Sequence, residues 1–181
     1  AHWLKRYGFR PTVVEIAPKL REGGYAIDFW GAGFDVAERM GIVPALKQAD
    51  LGISEVAFVD ENNQRKGSMN YRKLKEMMNG RAFTLLRSDL SKIIYDRLDK
   101  DLEIIFGDPI RAIEQRGEEV AVTFHSGNAR TFDLVLGADG LHSGVREIVF
   151  GDEAQFEKYY GYYTASYTIE QGVSNTTDFR L

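Results

Sequence analysis

The chain has 181 residues, 44% hydrophobic and 28% charged, with 18 Gly, 4 Pro and no Cys. That length holds one packed domain and a little more, and the composition excludes a wholly disordered chain. The lack of cysteine excludes a disulfide scaffold, a cysteine-held zinc or iron–sulfur centre and a thiol nucleophile, and an isoelectric point near 5.5 argues against a nucleic-acid footprint.

Ala1–Tyr7 reads as the last turns of a helix, with Trp3, Leu4 and Tyr7 at helical spacing and Gly8 as the stop. Lys5 and Arg6 break the only early apolar stretch, so it is not a signal peptide, and a cytoplasmic location is expected. No apolar run approaches the roughly 18 residues of a membrane span. The β-branched run Thr12–Ile16 fits a buried parallel strand, which Pro18 ends. Gly23-Gly24 marks a loop. Gly33–Met40 and Val43–Ala49 read as helices, Ile53–Val59 and Arg65–Asn70 as strands joined by a polar turn, and Tyr71–Met78 as a short helix. Ser88 reads as the N-cap of a helix whose stripe is Leu90, Ile93, Ile94 and Leu98.

Leu102–Phe106 is expected to be a strand. Ile110–Gln115, Glu119–His125 and Ala129–Phe132 read as an antiparallel meander turning at Arg116-Gly117 and Ser126–Asn128. Asp133–Gly137 reads as another buried strand, Leu141–Phe150 as a helix, and Tyr159–Ile169 as the first strand of a further sheet. Trp30, Leu85 and Leu86 read as core. Helix and strand alternate at both ends around an antiparallel insert, which is an α/β nucleotide-binding core with elaborations.

Charge is divided unevenly: residues 1–90 hold 14 Lys/Arg and 11 Asp/Glu, residues 91–181 hold 9 and 16, and the sum is −4. Either two faces are solvated differently, or a basic half attracts an anionic nucleotide.

Several residues bear chemistry. Glu15 closes the first strand. An acid there binds ribose hydroxyls in dinucleotide-binding βαβ units, roughly 20 residues after a glycine-rich phosphate loop. Only 14 residues precede Glu15, so that loop is expected just before Ala1. The other reading is a solvated acid at a strand end. Gly137-Ala138-Asp139-Gly140 joins a strand to a helix. Its glycines admit close backbone approach, the helix start offers N–H groups to a phosphate, and Asp139 either caps the helix or binds a sugar hydroxyl. Glu15 and Asp139 are both expected at carboxyl ends of strands, where open α/β sheets bind ligands. Arg21 and Arg87 are surface arginines or partners of pyrophosphate or ribose oxygens. His2, His125 and His142 lack metal-ligand spacing, and no metal site is expected.

The ordered set of strand-Glu15, Arg21-x-Gly-Gly24, Arg87-Ser-Asp-Leu and Gly137-Ala-Asp-Gly-x-x-Ser-x-Val-Arg146 resembles the FAD-dependent aromatic-hydroxylase family. These are the class A flavoprotein monooxygenases, including p-hydroxybenzoate hydroxylase-like and tetracycline-inactivating members. The resemblance runs along essentially the whole chain and about half of a complete member. It implies a Rossmann-like FAD-binding fold of the glutathione-reductase-like variant, with an antiparallel β insertion and the start of a substrate-domain sheet, incomplete at both ends. Residues 1–155 would be the partial FAD-binding domain and 156–181 the beginning of the substrate-binding domain. It further implies an FAD enzyme that uses NAD(P)H and O2 to hydroxylate an aromatic or polycyclic small molecule. Glu15 would bind the adenosine ribose. Arg87 would lie along the ribityl-pyrophosphate. Asp139 and Gly140 would serve the FAD pyrophosphate and the NAD(P)H path. Asp28, in Gly24-Tyr-Ala-Ile-Asp28, would lie near the flavin beside Gly24, and Arg21 would contact the dinucleotide. No catalytic acid or base is implied.

Three departures accompany the resemblance. The glycine-rich loop is absent upstream and the Gly-Asp motif downstream, so the chain alone is expected to be inactive. Ile16 stands where many members carry a basic residue. A related flavin-dependent reductase or dehydrogenase, or a non-catalytic binding module, are the alternatives.

Overall fold

The computed structural model describes residues 1–163 and 178–180. Its elements in chain order are α1 (His2–Arg6), β1 (Thr12–Glu15), β2 (Ala26–Trp30), α2 (Ala32–Met40), α3 (Val43–Ala49), β3 (Glu55–Val59), β4 (Arg65–Asn70), α4 (Tyr71–Met77), β5 (Ala82–Leu86), α5 (Arg87–Asp96), β6 (Glu103–Phe106), β7 (Ile110–Arg116), β8 (Glu119–Phe124), β9 (Ala129–Phe132), α6 (Gly144–Phe150), a 3-10 turn (Glu153–Gln155) and β10 (Asp178–Arg180). It is a mixed α/β structure with parallel and antiparallel strand pairs. Two compact units emerge: Ala1–Leu20 with Asp99–Thr164, and Arg21–Leu98 with Ala165–Leu181. Among the described residues no helix is long and apolar enough to cross a membrane.

In the first unit, β1 pairs in parallel with β6, Val13 facing Ile104 and Glu15 facing Phe106. The meander β7–β8–β9 is antiparallel, as its alternation predicts. Along β8, Val120, Val122 and Phe124 point inward and are buried. Val14, Ile105, Ile110, Ile113, Phe132 and Val135 pack on them, so the parallel pair and the meander share one core. Burying Val122 and Phe124 contributes about 1.5–3 kcal/mol each. Gly107 closes the crossing from β6. Its φ is +72°, and its N–H donates to the carbonyls of Glu15 and Ala17 at 2.9 and 3.0 Å. That pins the turn after β1. Lys5 pairs with Asp101 and lies 3.6 Å from Asp99, tying α1 to the residues before β6.

Two expectations fail in this unit. Asp133–Gly137 forms no strand ladder among the described residues. Val135 enters the core, but Leu134 and Leu136 are 64% and 60% exposed. The apolar run has one covered face, not the two of a buried parallel strand. Tyr159–Tyr163 likewise form no ladder, and four of their tyrosines stand exposed. The rest of that expected strand, 164–169, lies outside the described residues. The helix read from Leu141 begins at Gly144, because Ser143 is its cap.

In the second unit, β2 and β5 form an antiparallel ribbon that the residue pattern did not suggest. Asp28 faces Thr84 and Ala26 faces Leu86. One face of the ribbon carries the buried Phe83 and Leu85; Phe83 stacks on Phe34 of α2, and Ala37, Met40, Ile42 and Leu46 of the α2–α3 region are buried as well. The other face carries Asp28, Thr84 and Trp30. Trp30, expected in the core, is 57% exposed because strand alternation puts it on this second face. The β3–β4 hairpin turns through Asp60, whose carboxylate accepts the N–H groups of Asn62 and Gln64. β10 pairs in parallel with β3. Asp50 at the end of α3 accepts the Thr84 N–H at 2.9 Å and both of its oxygens bond Lys75 Nζ, at 2.8 and 3.0 Å, joining α3, β5 and α4. α5 starts at Arg87 with Leu86 as its cap residue, not at Ser88. Strand runs straight into helix, and the Arg87 N–H is satisfied by the Tyr25 carbonyl at 3.1 Å.

Candidate functional site

Gly137–Gly140 and the first turn of α6 are laced together. A Cβ on Gly137 would meet Val145 Cγ1 at 3.0 Å, tight enough that a larger residue would force the two apart. Asp139 accepts the Ser143 hydroxyl on one oxygen and the Val145 N–H, at 3.0 Å, on the other. Ser143 Oγ in turn accepts the Arg146 N–H at 3.0 Å. Burial works against the Asp139 charge, yet the Ser143 hydroxyl and the N–H groups of Val145 and Gly144 hold its carboxyl below the usual carboxylate range. The Val145 and Arg146 N–H groups at the start of α6 are therefore used by the segment's own side chains. Asp139 thereby supports the Ser143 cap by holding its hydroxyl and the Val145 N–H. Gly140 has φ +89° with open space where a Cβ would stand, so its backbone is the constraint.

Glu15 ends β1 half-buried, as expected. Its Oε1 accepts the Ala17 N–H at 2.9 Å, which orders the turn into Pro18. Ile16 is exposed beside it. Val14 and Val135, which neighbour Glu15 and the Asp139 loop in sequence, pack on the same core.

The second unit holds the other four residues. Arg21 is exposed at its start. Gly24 has φ +123°, and a Cβ there would lie 3.8 Å from Arg87 Cβ, so Gly24 and Arg87 are neighbours. The Arg87 guanidinium lies 5.9 Å from the centre of the Tyr25 ring. It occupies the first position of α5, where its charge adds to the positive end of the helix. Farther along the ribbon, Asp28 accepts the Tyr71 hydroxyl on Oδ2 and the Thr84 hydroxyl on Oδ1 at 3.1 Å. Burial, then the bond to Asp28, pushes the Tyr71 hydroxyl up to about 12. The site therefore includes Tyr71 and Thr84, which sequence reasoning missed: each lies far from Asp28 in the chain and no local pattern marks either.

A second missed group joins His142, Glu153 and Glu157. His142 Nδ1 lies 2.8 Å from Glu153 and 3.7 Å from Glu157, and Arg146 lies 3.3 Å from Glu153. The Arg146 guanidinium supplies a cation to Glu153, and no ligand spacing in the sequence marks the group.

No family model matches the sequence. The uncharacterized protein Rv1260 of Mycobacterium tuberculosis (strain ATCC 25618 / H37Rv) is 41% identical over 174 residues, covering 93% of this chain and 46% of that protein. A flavin-dependent monooxygenase of Legionella longbeachae serogroup 1 (strain NSW150) is 31% identical over 171 residues, covering 93% and 43%. The crystal structure of tetracycline destructase Tet(51) matches with a TM-score of 0.69 at 34% identity, covering 82% of this chain and 37% of that one. The chain thus spans less than half the length of these relatives. In sequence and in fold, the chain belongs to the FAD-dependent monooxygenase family.

Proposed function

We propose that the protein binds FAD and uses NAD(P)H and O2 to hydroxylate an aromatic or polycyclic small molecule. The observation that carries this reading is the laced Gly137–Arg146 segment: the family-like residues are spent on building one rigid loop, with Gly137 against Val145 and Asp139 tied to Ser143 and Val145. The likeness to tetracycline destructase favours a polycyclic substrate. The fold in this reading is the Rossmann-like, glutathione-reductase-like variant, with residues 1–155 serving FAD and 156–181 opening the substrate-binding part. NAD(P)H as reductant fits a cytoplasmic enzyme.

The residues fit the cofactor chemically. Glu15 is a half-buried acceptor at a strand end, suited to the adenosine ribose hydroxyls. Asp139 and Gly140 offer an ordered carboxylate and an open glycine backbone to the dinucleotide. Gly24 leaves backbone accessible beside Arg87, and the Arg87 and Arg21 guanidiniums suit phosphate oxygens. Asp28 is a fixed acceptor for an N–H or O–H of the flavin. The flavin, when bound, supplies electron transfer from NAD(P)H and the activation of O2. The protein's own residues bind and orient it.

The test is to load the whole protein with FAD, desalt it and record the visible spectrum, then follow NAD(P)H oxidation with labelled O2. Retained flavin and label in the organic product are the expected results. Reduction of the organic compound without label would replace this reading with a reductase. Failure to retain flavin would leave a binding module.

A further inference from the structure

Both carboxylate oxygens of Asp28 are taken by hydroxyls from other parts of the second unit. Thr84 lies directly opposite on β5 and donates at 3.1 Å to Oδ1, and Tyr71, from the start of α4, donates to Oδ2. The two donors are buried, at 6% and 8% exposure, while Asp28 itself is exposed. Buried hydroxyls usually bond backbone or buried acceptors. Here they reach out to hold an acid at the surface. Thr84 is itself fixed, since its N–H donates to Asp50, which Lys75 grips. Each carboxylate oxygen has a second lone pair, so two donors set the plane of the group and leave acceptor capacity on the open side. A carboxylate needed only for folding gains nothing from remaining open to solvent. One that must meet a ligand in a set orientation gains from lost rotamer freedom before the ligand arrives.

We propose that Tyr71 and Thr84 are positioning residues that clamp the Asp28 carboxylate in the orientation in which it accepts a hydrogen bond from the flavin of FAD. This rests on the reading that Asp28 faces the flavin. The hydroxyls do not touch the cofactor; they act through Asp28. Without them the carboxylate swings among rotamers, binds the flavin less well and exerts less of its negative field on it. A fixed negative charge beside a flavin opposes its reduction, so loosening it raises the reduction potential.

The whole FAD-loaded protein is compared with Asp28→Asn, Tyr71→Phe, Thr84→Val and Thr84→Ser by FAD dissociation constant, flavin reduction potential and urea unfolding. Asp28→Asn should weaken FAD binding and raise the potential. Tyr71→Phe and Thr84→Val should move both in the same direction, each weakening FAD by about tenfold at most. Thr84→Ser, which keeps the hydroxyl, should restore both. In the Asp28→Asn background, Tyr71→Phe should add nothing to either readout. If Asp28→Asn changes affinity and potential while Tyr71→Phe and Thr84→Val change only the unfolding curve, the clamp is refuted and the flavin reading stands. If Asp28→Asn itself leaves both unchanged, the flavin reading of Asp28 fails and the clamp with it. Should Thr84→Val not fold, Tyr71→Phe keeps the ring and decides alone.

Discussion

Gly137→Ala tests whether the loop ahead of α6 is built on close approach. The new methyl would stand 3.0 Å from Val145 Cγ1 and 3.3 Å from Val145 Cβ. The obstacle is a β-branched side chain in the first turn of a helix, where χ1 has one strongly preferred value. It cannot swing aside as the end of a lysine would. Relief must come from moving α6 away from the loop, and that stretches the 3.0 Å bond from the Val145 N–H to Asp139. Overpacking alone costs about 1–3 kcal/mol. Weakening a bond to a charged acceptor adds to it, for a total of about 2–4 kcal/mol. Urea unfolding with an unchanged m-value reads this directly. The second arm is Val145→Ala, which removes the Cγ1 that clashes. The double variant should be more stable than the sum of the single effects by about 1 kcal/mol or more. A Gly137→Ala protein within about 0.5 kcal/mol of the parent, or strictly additive variants, would refute the argument.

Three other outcomes follow from the same geometry. Gly107→Ala should cost about 1–2 kcal/mol through its φ of +72°, because Pro18 Cα at 3.5 Å leaves room for a methyl; urea unfolding equal to the parent's would show that the turn after β1 does not need a left-handed residue. Asp139 is held below its ordinary pKa in the folded state, so its contribution to stability is complete above the ordinary carboxylate range and is lost as pH falls through the lowered folded value. Asp139→Asn should flatten that acid limb of the stability–pH curve, and an identical limb in both proteins would mean that Asp139 is not the group titrating. In the whole protein, Arg87→Ala should weaken FAD retention by about 1–3 kcal/mol, the range for a charge-assisted bond; unchanged flavin content after extensive dialysis would remove Arg87 from the site.

What could be read from the sequence was local. The β7–β8–β9 meander announces itself because Val120, Val122 and Phe124 alternate with the smaller or polar Glu119, Ala121 and Thr123 between glycine turns. β1 opens with three β-branched residues, Thr12, Val13 and Val14, and needs no partner to be recognised. The ribbon of β2 and β5 was missed because Ala26–Trp30 gives alternation over five residues, with an acid in the middle and a tryptophan on the outer face. Its partner, Ala82–Leu86, runs into α5 without a turn residue to separate them. Asp133–Gly137 misled in the opposite sense. Its apolar run matches a buried strand, but composition does not say whether a second face is covered, and Leu134 and Leu136 are open. The clamp on Asp28 was beyond reach for another reason: Tyr71 and Thr84 are 43 and 56 residues away, and hydroxyls at such separations carry no periodic signal.

The geometry also ranks the roles that the Gly137–Gly140 pattern leaves open. A phosphate needs unused N–H groups, and those of Val145 and Arg146 are donated to Asp139 and Ser143. It would also approach the Asp139 carboxylate, and two negative charges 4 Å apart repel by about 1 kcal/mol in water and by several times that in a partly enclosed site. A hydroxyl meets neither obstacle. It brings a donor, and each Asp139 oxygen retains a lone pair after its bond to Ser143 or Val145. The same bonds that occupy these two N–H groups hold the carboxylate still, which under the proposed FAD reading suits it to a sugar or ribityl hydroxyl. Under the proposed FAD reading, phosphate would then be met by positively charged groups, and Arg21 and Arg87 are the cations that the family pattern sets beside Gly24.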